Sequence, residues 1–110
     1  MKTIDYDTTL SLASGASGTT GEIDIQDTRH PSVQIVCTNG DAAGTFAVNV
    51  TNRSGVTAQT ITGMTVTKVT LTALNEYFDL PDQSGAFLTV TYTRTGGGAA
   101  QTASIYVYGK

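Results

Sequence analysis

Few residues of this sequence have the chemistry for catalysis. Imidazole acid–base work would fall to His30, the only histidine, and thiol nucleophilicity to Cys37, the only cysteine. A thiol nucleophile needs a base within hydrogen-bond reach. His30 precedes Pro31 in a polar turn, whereas Cys37 closes the apolar run that starts at Val33, and nothing in that spacing brings the two side chains together. Cys37 therefore reads as a small buried hydrophobe, and a single cysteine rules out an internal disulfide framework. Apart from Asp41, alone in a loop, the carboxylates fall into three groups: Asp5 with Asp7; Glu22, Asp24 and Asp27; and Glu76, Asp79 and Asp82. Glycoside hydrolysis needs a carboxylate pair across a cleft, and a hard cation needs several converging oxygens. None of the groups has the spacing of an EF-hand loop, and all three read as solvated strand faces. No metal or cofactor is assigned; a structural calcium near Asp24 and Asp27 is the alternative. No phosphate cradle of the G-x-x-x-x-G-K-[ST] or G-x-G-x-x-G type occurs, and Gly96-Gly97-Gly98 reads as a hairpin tip. The chain does not read as an enzyme.

The elements that position these residues follow from composition and period. Only 14% of the 110 residues are charged, against roughly 25% in ordinary soluble domains. Threonine fills the gap, with 21 Thr beside 12 Gly; β-branched Thr suits a pleated surface and Gly supplies turns. Apolar and polar residues alternate with period two over 4–12, 22–26, 45–51, 56–62, 65–74, 86–95 and 102–108. The stretch 33–38 is apolar on both faces and reads as a central strand. Glu76 to Leu80 makes one more short strand. Turn signals punctuate at 27–32, Asn39-Gly40, 52–55, Gly63, 81–85 and 96–100, and no window shows helical apolar spacing. The fold class is all-β: a single-domain antiparallel β-sandwich, jelly-roll or immunoglobulin-like, of about eight strands. The domain spans 1–110, with 1–21 an extended N-terminal arm and flexible loop.

Charge and aromatics narrow the partners. The net charge is −3, and Lys2, Arg29, Arg53, Lys68, Arg94 and Lys110 are scattered singly, so there is no electrostatic footprint for nucleic acid or an anionic membrane. A secretory signal and a membrane span are not evident, which makes a chain produced in a cytoplasm and not exported. Tyr106 and Tyr108 share a face, which reads as core or subunit contact before ligand shelf. Surfaces rich in Thr, Ala, Gly and Ser are cheap to immobilise and lack the interspersed charges that keep monomers apart. Such a chain suits a permanent assembly, most simply a homotrimer or homodimer.

The stretch from Phe87 to Gly98, with its Tyr92-Thr93-Arg94 run, and the ending Ser104-Ile105-Tyr106-Val107-Tyr108-Gly109-Lys110 resemble the endings of small structural proteins of tailed bacteriophages. The resemblance covers the last third of the chain. It implies a virion component, foremost a capsid decoration (cement) protein that binds the major capsid protein and itself, with no catalytic residue to carry over. Alternatives are another virion part (head–tail, tail, fibre or baseplate) or a host-surface carbohydrate-binding module. Terminal segments and sheet edges are open to augmentation by a neighbour. On that ground the expected interface residues are Tyr6, Leu10 and Leu12 in the first strand and Arg94, Tyr106 and Tyr108 in the last hairpin.

Overall fold

The period-two alternation folds as nine β-strands and no helix in a computed structural model that describes residues 3–12, 18–28, 30–40, 42–69, 71–80, 86–96 and 101–109. The strands are β1 (Ile4–Ser11), β2 (Gly18–Thr19), β3 (Ile23–Asp24), β4 (Ser32–Cys37), β5 (Ala43–Thr51), β6 (Gln59–Lys68), β7 (Leu74–Asp79), β8 (Phe87–Gly96) and β9 (Thr102–Gly109). They form two antiparallel sheets. Sheet A has the order β1-β9-β4-β7 and sheet B the order β2-β8-β5-β6, with β3 also on β8. Because β2 and β3 pair with successive stretches of β8, they are two halves of one interrupted edge strand. Thr20 bridges the interruption: its amide donates to Val90 O and its hydroxyl accepts from Val90 N, each at 3.0 Å.

The pairing is nested. β1 pairs with β9, β2 and β3 with β8, β4 with β7, and β5 with β6. The chain is thus one long hairpin with its tip at residues 52–58, rolled so that β4 also meets β9 and β5 also meets β8. This is the strand order of a jelly roll, an architecture of two packed sheets. Apart from β5–β6 and the interruption between β2 and β3, every connection passes from one sheet to the other.

Inward positions of both sheets meet in one core that includes Leu12, Val33, Ile35, Phe46, Val48, Leu88, Val90, Ile105 and Val107, all essentially inaccessible. Phe46 and Tyr92 sit opposite each other on β5 and β8, with ring centroids 4.8 Å apart. The Tyr92 hydroxyl donates to Ala43 O at 2.9 Å, which satisfies its polar end. Full burial of each such side chain contributes about 1.5–3 kcal/mol. The accessible surface of 5861 Å² is close to the roughly 5,800 Å² that surface scaling gives for a monomer of this mass.

Four sequence expectations are corrected. The 96–100 segment joins no hairpin, because β8 and β9 belong to different sheets and both edges of β9 are taken, by β1 and β4; residues 97–100 lie outside the described residues. The N-terminal segment is no free arm: β1 is paired with β9 along its whole length, and Gly18–Thr19 pairs with β8; 13–17 lie outside the described residues. Gly63 does not separate two strands. With φ of 82° it sits inside β6, where a bulge shifts the register against β5, a conformation that Gly adopts without strain. Finally, the alternation over 65–74 is not one strand. β6 stops at Lys68, whose amino group turns inward, and Leu71 takes φ of 60°. No helix among the described residues is long and apolar enough to cross a membrane.

Candidate functional site

The outer face of sheet A gathers the exposed aromatics. Register fixes its rows: Asp5, Tyr108, Ser32 and Asp79; then Asp7, Tyr106, Gln34 and Tyr77; then Thr9, Ser104, Val36 and Asn75. Tyr77, Tyr106 and Tyr108 are 60%, 43% and 46% exposed. Adjacent strands lie about 4.8 Å apart and alternate residues about 6.8 Å along a strand. Tyr106 therefore has Tyr108 beside it along β9 and Tyr77 two strands away across Gln34. The Gln34 amide donates to Asn75 Oδ1 at 2.7 Å, which holds the polar strip between the rings. Asp5, Asp7 and Asp79 flank the rings, and no described Lys or Arg lies in these rows. Rings with two rotatable bonds cost little entropy to immobilise, so this face is suited to docking.

The expected interface residues divide. Tyr106 and Tyr108 point outward as that role requires. Tyr6 is 44% exposed, on the core-facing side of β1 but at the edge of its sheet. Leu10 and Leu12 are corrected: both lie in the core, as their alternation with polar neighbours physically demands. Arg94 is corrected too. It is half-buried, belongs to the other sheet from Tyr106, and donates from Nη1 to Leu12 O, tying β8 to the exit of β1. Tyr77 was missed, since its place in the row of Tyr106 depends on β4 lying between β9 and β7, a non-local pairing.

The outer face of sheet B is different. Thr45, Ala47, Asn49 and Thr51 on β5 alternate outward beside Thr93, Thr91, Thr89 and Phe87 on β8. The 52–58 turn folds back over this surface. Glu22 holds it there, accepting from the Ser54 hydroxyl and, at 2.9 Å, from Gly55 N. These two bonds keep the fully exposed Glu22 carboxyl below its ordinary value. Between turn and sheet lies a groove of about 430 Å³.

Neither the thiol nor the imidazole forms a reactive centre with the other. Cys37 ends β4 in the core, where burial pushes its thiol up despite the opposing field of Lys68. His30 is exposed before the other end of that strand, with φ of 52°. Among the described residues no three His, Cys, Asp or Glu side chains converge on a metal position. Neither a family model nor a curated relative matches the chain.

Proposed function

We propose that this chain is a structural subunit of a virion, a capsid decoration protein that reinforces the major capsid lattice. The observation that supports it most is the exposed tyrosine face of sheet A, built on a rigid sandwich and flanked by three aspartates. Its acidity selects the partner. Two copies meeting through this face would oppose like charges, whereas a capsid surface bearing Lys or Arg complements it. Self-association into a homotrimer or homodimer then uses another surface. The β6–β7 turn, with Val69 and Leu71 60% and 70% exposed, offers apolar contact there.

The mechanism is mechanical: area buried across capsid seams raises the barrier to rupture. Particles lacking the protein should release DNA at lower temperature or under milder osmotic shock, and the purified chain should co-sediment with them and restore resistance. Truncating Tyr77 or Tyr106 to Ala should weaken that binding about thirtyfold, the effect of a central aromatic anchor. Raising the salt should weaken it further. Equal robustness of particles with and without the protein would overturn the proposal.

A further inference from the structure

Asn49 is an anomaly in its strand. It faces outward between Ala47 and Thr51, yet it is only 6% exposed, and Asn disfavours strands. The β6 bulge explains its company. Continuing the register of Ala47 with Thr65 would set Gly63 opposite Asn49, but the shift brings Thr60 there instead. Thr60 donates its hydroxyl hydrogen to Asn49 Oδ1 at 2.8 Å. Asn49 Nδ2 in turn donates to Thr91 Oγ1 at 2.9 Å and to Thr89 Oγ1 at 3.4 Å. One buried amide thus orients three hydroxyls on the floor of the groove.

The orientation has a chemical consequence. Thr60, its hydrogen committed, keeps its lone pairs as an acceptor. Thr91 accepts from Asn49 and shares a 3.3 Å contact with Thr19. Whichever of those two hydroxyls donates to the other, one hydroxyl hydrogen of the pair stays available. The groove therefore offers fixed acceptors and at least one donor side by side. Glu22 at its rim adds acceptor capacity, and Ala47, Val56 and Ala58 add an apolar strip.

We infer that this groove is a binding site for a neutral, polyhydroxylated ligand, a saccharide of one or two rings. Both hydroxyls of a vicinal pair can donate to groove oxygens and one of them can accept from the free hydroxyl hydrogen, while the C–H face of the ring covers the apolar strip. An anion is disfavoured by Glu22, and one carboxylate supplies too few oxygens for a hard cation. A volume of about 430 Å³ falls within the range of small-ligand sites. The site lies on the opposite sheet from the tyrosine face and is independent of the docking proposed there.

The test is a ¹H–¹⁵N NMR titration of the full chain with glucose, galactose, mannose and N-acetylglucosamine, each at millimolar concentration. At least one sugar should give saturable shifts at Asn49, Thr60, Thr89 and Thr91, with Tyr77, Tyr106 and Tyr108 unmoved. Thr91→Val keeps the β-branched shape and removes one hydroxyl, and it should weaken binding about fivefold, the worth of one hydrogen bond. Thr60→Val, on a second strand, should do the same. Absence of saturable shifts with all four sugars, shifts mapping to the tyrosine face, or unchanged affinity in both variants would overturn the inference. Thr91→Val should still co-sediment with virions, so failure here and failure of the docking proposal are told apart.

Discussion

Replacing Lys68 with methionine tests how one end of the sandwich is closed. Lys68 is 1% exposed, and its Nζ donates to Ala42 O at 2.7 Å, Gly40 O at 2.9 Å and Val69 O at 3.3 Å. Methionine would refill most of the stem's volume and leave the carbonyls behind. The losses are unequal. Gly40 O still accepts from Leu71 N at 2.8 Å, and Val69 O from Thr72 N at 3.2 Å. For Ala42 O, Lys68 is the one donor among the described residues. One orphaned buried carbonyl costs about 1–3 kcal/mol, and relief from burying an amino group offsets part of the remaining losses. The net expectation is about 2 kcal/mol, which lowers Tm by about 10 °C in a domain of this size. Urea unfolding followed by circular dichroism should show a lower midpoint with an unchanged m-value. The exposed Arg53→Met serves as control. A Lys68→Met midpoint equal to that of the control would refute the reasoning, because the carbonyl cage would then contribute nothing.

Other perturbations follow the same logic. Gly44→Ala would drive a Cβ onto the Thr93 carbonyl and to 2.7 Å from the Tyr92 ring; it should cost about 3 kcal/mol, seen as a lower urea midpoint. Burial raises both Cys37 and Tyr92 above their ordinary values of 9.0 and 10.0. The folded state thus favours their neutral forms, and stability present below pH 9 should fall as the pH climbs past it; iodoacetamide should label Cys37 in urea far faster than in the native chain. Glu22 is shifted the other way, so its hold on the 52–58 turn is complete above 4.5 and is lost as the pH falls through its lowered value. The Gly55 amide resonance should titrate in that acid range, and Glu22→Ala should abolish the transition.

Strand positions were legible because period two is local. Leu88, Val90 and Tyr92 announce one buried face without knowledge of any partner; the same alternation sets Leu10 and Leu12 on one face, and reading them as interface residues instead of core overrode it. Pairing was not legible, since it joins residues far apart. Gly96 to Ala100 suits a hairpin tip and a crossing between sheets equally well, and only the occupation of both β9 edges decides for the crossing. Lysine is ordinarily solvated. The burial of Lys68 depends on carbonyls 26 and 28 residues earlier, which no local pattern encodes. Tyr77 joins Tyr106 through Gln34, and Asn49 meets Thr60 through a bulge. For Tyr77 and Asn49 the strand was readable and the neighbour was not.

The nested roll sets its two candidate faces back to back. Sheets packed face to face lie about 10 Å apart, and the tyrosine rows and the threonine groove sit on their opposite outer surfaces. A chain docked through Tyr77 and Tyr106 would therefore hold the groove away from its support and open to solvent. This geometry demands a double dissociation. Tyr106→Ala should lose capsid binding and keep sugar-induced shifts at Thr91, whereas Thr91→Val should weaken the sugar and keep capsid binding. A single substitution that abolished both, with unchanged Tm, would mean that the two faces are not independent, and the back-to-back assignment would fall.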